Sequence, residues 1–185
     1  MTAADADTDP EAADYDGYGA VVFDLDGTLV RLAVDWDAAA ADAVALFERN
    51  GHDAAGAGLW ELLERADEVG LRAELESVLS DHEVRGAETS DRLPHADRLP
   101  LSVPIGVCSL NCEAACRAAL HRHALAAHVD SVIGRDSVAT YKPDPEPLLA
   151  SLRELGVDPD DALFVGDSER DGVTADRAGV DFRRV

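Results

Sequence analysis

The chain has 185 residues, 46% of them apolar, enough for one buried core with room for a small subdomain, which excludes a disordered chain. Thirty-eight acidic residues against sixteen basic ones leave a net charge of −22, a field that argues against a nucleic-acid partner, whose binding rests on Lys and Arg neutralising phosphates. No apolar run approaches the ~20 residues of a membrane span, and residues 1–18 lack the basic and apolar regions of a secretory signal, so neither a membrane nor export is expected.

Residues 1–17, rich in Asp, Ala and Thr, read as a disordered acidic tail. The stretch "VVFDLDGTLV", 21–30, opens as a short apolar strand (21–25) and carries two carboxylates, Asp24 and Asp26, followed by Gly27-Thr28. Like charges at that spacing repel, and burying either is costly unless something positive pairs with it. Asp35 reads as the N-cap of a helix over 36–50, with apolar residues at 36, 40, 43, 44 and 47 and Gly51 as its stop. A second helical stretch covers 59–80 with a break near Gly70, and the polar segment 81–100, with two prolines, reads as a connector. Trp36 and Trp60, at helical spacing, read as core residues.

The pattern then changes. A strand is expected over 103–108, a helix over 112–127 and a strand over 129–133. Asp144 reads as an N-cap with Pro145 at the first helical position, before a stripe of Leu148, Leu149, Leu152 and Leu155. A strand over 162–165, a helix over 169–178 and a last strand from 180 complete the chain. Strands alternating with helices predict an α/β fold, a doubly wound (Rossmann-like) parallel sheet covered on both faces. The helices that interrupt this alternation after the first strand read as an inserted cap. The domain plan is thus a tail (1–17), an α/β core (18–33 and 97–185) and a helical cap (34–96). The odd count of cysteines argues against a disulfide framework, and Cys108, Cys112 and Cys116 read as buried thiols in a reducing compartment rather than a metal cluster with His121 and His123.

In an open parallel sheet, ligands bind at the carboxyl ends of the strands. After the first strand come Asp24 and Asp26; after "VPIGVC" come Ser109 and Asn111; before the next helix stands Lys142; after "ALFV" come Gly166, Asp167 and Ser168, with Asp171 four residues beyond Asp167. Four carboxylates in one crevice need a cation, and oxygen ligands without Cys or His point to Mg²⁺. With the metal, Lys142 and the Ser109 hydroxyl can hold the oxygens of a phosphoryl group, and one aspartate can attack phosphorus while its neighbour, two residues on, serves as acid and base. Lys142 is the one lysine among sixteen basic residues, the rest being arginine, so a compact point charge is kept at that position alone. Asp171 either ligates the metal or complements the N-terminus of its helix.

These motifs, "FDLDGTLV", "VCSLN", "YKPDPEP" and "FVGDSERD", occur in order over roughly residues 19–182, and the chain resembles the haloacid dehalogenase-like hydrolase superfamily, in its phosphoglycolate phosphatase-like branch with an inserted helical cap. The resemblance implies Asp24 as the nucleophile that forms an aspartyl-phosphate, and Asp26 as acid/base with its backbone carbonyl on the metal. It further implies Asp167 as a Mg²⁺ ligand, Asp171 as its support, and Ser109 and Lys142 as phosphate holders. Asn111 lies two residues after Ser109, whereas many relatives have asparagine next to the hydroxyl, and it is given no role. The expected activity is that of a Mg²⁺-dependent phosphatase acting on a small phosphorylated metabolite, phosphoglycolate-like or a sugar phosphate. A phosphosugar mutase of the same superfamily and a phospho-acceptor signalling domain are the alternatives; the latter lacks a helical insertion after its first strand and has no place for "GDSERD". Aspartate outnumbers glutamate 25 to 13, and the composition resembles that of cytoplasmic proteins from salt-loving archaea. Oligomeric state is not legible in these residues.

Overall fold

The computed structural model describes Tyr15 and residues 17–185; the remainder of the stretch read as a tail lies outside the described residues. In chain order the elements are β1 (Ala20–Phe23), β2 (Val30–Arg31), α1 (Trp36–Arg49), α2 (Leu59–Val69), α3 (Arg72–Glu88), β3 (Asp91–Arg92), β4 (Ile105–Cys108), α4 (Glu113–Arg122), β5 (Ser131–Ile133), α5 (Glu146–Leu155), β6 (Ala162–Gly166), α6 (Glu169–Ala178) and β7 (Asp181–Arg184). Five strands form one parallel sheet in the order β5-β4-β1-β6-β7, with Val22 of β1 opposite Gly106 of β4 on one side and Phe164 of β6 on the other. The chain runs outward from β1 through β4 to β5, then crosses back to β6 and β7. The crevice where that order reverses opens at the carboxyl end of β1.

Successive β1 side chains point to opposite faces. Val21 and Phe23 join the core under α4, with Val107, Cys116 and Leu120. Val22 joins the core under α5 and α6, with Leu148, Leu152, Phe164 and Ala175. A strand buried on both faces reads as an unbroken apolar run, which is how this one is written. Tyr15, within the stretch read as tail, packs edge-on against Phe23 and is buried. All three cysteines are free and buried. No described helix is long and apolar enough to cross a membrane.

Between β2 and β3 lie α1, α2 and α3, with a core of their own that includes Ala43, Phe47, Leu62, Leu63 and Leu75. Asp35 caps α1, its carboxylate accepting the Ala38 N–H at 2.9 Å, and α2 stops at Gly70, left-handed at φ 74°. The segment expected as a connector from 81 departs from that reading: α3 continues to Glu88. Its buried stripe passes through Glu83 and Gly86, two residues that hide the apolar period. Gly86 lies against Val34, where a Cβ would stand 2.6 Å from Val34 Cγ2. β2 and β3 pair antiparallel, Val30 opposite Arg92 and Arg31 opposite Asp91, so the helices leave and return through adjacent strands.

Other boundaries move by a few residues. β4 begins at Ile105 because Pro104 has no N–H to donate to the ladder. α4 ends at Arg122, and Ala124 takes a left-handed φ of 57° before a short 3₁₀ turn. The residue flanking α5 is Pro145, with Asp144 one position earlier, its carboxylate accepting the Glu146 N–H at 2.9 Å.

Candidate active site

The predicted residues meet where β1, β4 and β6 end. Asp24 follows β1 directly, its N–H donating to Val165 O of β6 at 2.8 Å. Lys142, 1% exposed, donates to Asp24 Oδ1 at 2.9 Å and to Asp171 Oδ1. Burial disfavours the Lys142 charge, but the two carboxylates outweigh it and raise its pKa above the ordinary lysine value. Burial likewise pushes Asp24 up to about 6; Lys142 pulls it down and Asp171 pushes it further up. Three charges in so small a space leave one net negative charge, which suits a cation.

Asp171 does two things at once. Its Oδ2 accepts the N–H and hydroxyl of Ser168, and Ser168 Oγ accepts the Asp171 N–H at 3.2 Å, a reciprocal cap on α6. Its Oδ1 faces Lys142. Oxygens of Asp24, Asp167 and Asp171 lie within 4.8 Å of one another. The Asp167 carboxylate accepts no hydrogen bond from the described residues. An all-oxygen, net anionic donor set with a half-buried member that accepts no hydrogen bond from the described residues fits a hard divalent cation. Two glycines make room for it. Gly27, at φ +90°, lies against Asp167, whose Oδ2 a Cβ would strike, and a Cβ on Gly166 would stand 2.7 Å from Asp171 Oδ2.

The Asp26 carboxylate lies outside that trio. Its Oδ1 accepts the Leu32 N–H at 2.8 Å, and burial raises its pKa above the carboxylate norm, so it holds a proton more readily than a surface aspartate. Ser109 follows β4. Its hydroxyl donates to Asn111 Oδ1 at 3.1 Å and accepts the Asn111 N–H at 3.2 Å. Asn111, given no role in the sequence, therefore orients Ser109.

The sequence reading missed the upper half of the site. A cavity of about 440 Å³ opens over Asp24, Asp26, Ser109, Lys142 and Asp167, and its far wall is Trp36, Leu59, Trp60, Leu63, Leu79 and Glu83 of the inserted helices. Trp36 and Trp60, expected as core, are each 42% exposed there. Trp60 is tilted against Tyr141 and lies under the Arg170 guanidinium. Arg135 also lines the cavity. It donates to both carboxylate oxygens of Glu83, to Glu76 Oε2 at 2.8 Å and to Leu110 O at 2.8 Å, while Glu83 Oε2 also accepts the Cys112 N–H at 2.8 Å. This ion pair is buried on both sides and ties α3 to the sheet. Arg135 stands just past the end of β5, so the rule that drew attention to the other strand ends applied to it as well.

The chain has recognisable relatives. A sequence model of the family described as haloacid dehalogenase-like hydrolase matches residues 99–185. A phosphoglycolate phosphatase of Rhodospirillum rubrum is 36% identical over 190 residues, covering 87% of this chain and 76% of its own length. The crystal structure of a HAD-superfamily hydrolase of subfamily IA, variant 1, from Geobacter sulfurreducens superposes with a TM-score of 0.58 at 26% identity, over 90% of this chain and 86% of its own. CbbY from Rhodobacter sphaeroides, solved in complex with phosphate, shares the fold at 20% identity with a TM-score of 0.64, over 89% of this chain and 84% of its own.

Proposed function

The chain belongs to the haloacid dehalogenase-like hydrolase family and is a phosphoric monoester hydrolase, and from that premise we propose that it is a Mg²⁺-dependent phosphatase of a small phosphorylated metabolite, phosphoglycolate-like or a sugar phosphate, working inside the cell through an aspartyl-phosphate. The observation that carries this reading is the Lys142 ammonium, buried between Asp24 and Asp171 at the edge of the three-carboxylate group.

Asp24, Asp167 and Asp171, with the Asp26 backbone carbonyl, would hold Mg²⁺, which when bound supplies positive charge for the phosphoryl oxygens. Lys142 and the Ser109 hydroxyl hold those oxygens from the protein side. The Asp24 carboxylate attacks phosphorus and the ester bond breaks, the leaving oxygen taking a proton from Asp26. Asp26, now ionised, takes a proton from water as that water attacks the phosphoryl group, releasing phosphate and restoring both aspartates. A carboxyl whose pKa is raised by burial suits the residue that must begin protonated. The Leu32 N–H contact holds it in place.

The test is phosphate release from a panel of phosphorylated metabolites in molar KCl with Mg²⁺. Asp24→Asn should abolish release while the thermal midpoint shows a folded protein. Activity within about tenfold of wild type, where loss of a nucleophile should cost far more, would reject Asp24 as the nucleophile.

A further inference from the structure

The far wall of the cavity is apolar but for Glu83, which is paired with Arg135. Trp36 and Trp60 are two of the three large apolar side chains exposed on the described surface, the third being Val185 at the chain end. Both are among the residues that line this cavity. Large apolar side chains left exposed at the rim of a concave site mark a binding surface.

The charges around them decide what fits. The cations among the lining residues are Lys142 and Arg135. Lys142 is held by Asp24 and Asp171. Arg135 is held by Glu83 and Glu76, and its remaining contact goes to Leu110 O. Arg170 lies over the Trp60 ring, 4.3 Å from its centroid, and is outside the lining. Among the lining residues, a carboxylate at a substrate's far end would meet leucines, tryptophans and the Glu83 carboxylate, and no cation that is not already held by carboxylates. A two-carbon acid would also leave much of the 440 Å³ unfilled.

Resting on the phosphatase reading above and choosing between its two substrate classes, we propose that the preferred monoester carries an uncharged leaving group with a flat apolar face, as a sugar ring or an aromatic ring has, seated against Trp36 and Trp60, and that these two residues discriminate it from short phosphorylated acids. The reaction is unchanged: the leaving group departs as an uncharged alcohol. Only its surroundings select it.

The chain has two tryptophans and both line the cavity, so intrinsic fluorescence reports occupancy without turnover. Phenethylphosphonate and phosphonopropionate, non-hydrolysable analogues of an aromatic ester and of phosphoglycolate, are titrated in Mg²⁺ and molar KCl. Phenethylphosphonate should bind at least about tenfold more tightly, since burying a phenyl group is worth that or more. The same order should hold for kcat/KM on benzyl phosphate against phosphoglycolate. Trp60→Ala, read through Trp36, should shrink the preference about tenfold, mostly in KM, and Trp36→Ala, read through Trp60, gives the same test if the first variant does not fold. Tighter binding and faster turnover of the carboxylate-bearing member would overturn the inference and leave the phosphatase reading standing. Absence of phosphate release from either ester and from p-nitrophenyl phosphate would overturn the phosphatase reading, and the inference with it.

Discussion

Asp24 lies between two demands: it must be buried to be protected from water, and ionised to attack. Its pKa of about 6 records the first demand winning part of the way. Protonation removes the nucleophile, so kcat/KM should fall as pH drops through an acid limb. A bound cation favours the carboxylate, which sets that limb in the loaded enzyme below about 6. Below it the decline should approach tenfold per pH unit for one essential base. A pH–rate profile checks this, and a limb above neutrality would assign it to another group. Gly27 makes a second prediction. An alanine there would have to adopt φ +90° and displace Asp167. We expect a loss of about 10²-fold in turnover, since small misplacements of reacting groups cost that much, together with weaker Mg²⁺ binding by calorimetry. An unaffected Gly27→Ala enzyme would mean that Asp167 can move aside at no cost. At this scale the charged residues were legible because topology alone gathers the residues at the strand ends. Asn111 was not, since its role depends on the Ser109 rotamer, and neither were the tryptophans, since helical spacing does not reveal which face meets a cavity.

Among the elements, α3 departs furthest from its sequence. An apolar period is legible only where burial is apolar, and α3 buries Glu83 as an ion pair and Gly86 as a close approach to Val34. Its C-terminal half therefore looks polar while being packed. β1, α1, the break at Gly70 and α6 were legible because cap residues, glycine and unbroken apolar runs each have a local cause. The Glu83–Arg135 pair yields the third prediction. Glu83→Ala leaves the buried guanidinium with Glu76 and Leu110 O and the Cys112 N–H without its partner, and breaking a buried pair from one side costs up to about 3–5 kcal/mol. Denaturant unfolding should register that loss. A change below about 1 kcal/mol, as for an exposed pair, would show that α3 is held by its apolar contacts alone.

For the whole molecule the dominant quantity is the net charge of −22. At 0.01 M salt the screening length is about 30 Å and each acidic side chain feels many others; at 1 M it is about 3 Å. Folding gathers those charges, so self-repulsion destabilises the compact state most where screening is weakest. We propose that the acidic surface is an adaptation to concentrated salt. The thermal midpoint should rise steeply from 0.1 M to 2 M KCl with Mg²⁺ held constant. A midpoint that stays flat or falls would assign the acidic surface another purpose.

The ribbon of β2 and β3 bears on inheritance. Because the two ends of the helical insertion lie side by side, with Arg31 opposite Asp91, everything between them can be exchanged by recombination without moving the strand that carries Asp24 or the loops that carry Ser109, Lys142 and Asp167. Lineages can thus acquire new tastes for substrate while keeping old chemistry. Such a transplant has one condition. Arg135 stays behind with the sheet when Glu76 and Glu83 depart, so an incoming insertion must bring a carboxylate of its own to meet that guanidinium, or arrive together with a replacement for the arginine. A chimaera that ignores this should melt at a lower temperature, because a buried guanidinium is left without its carboxylates.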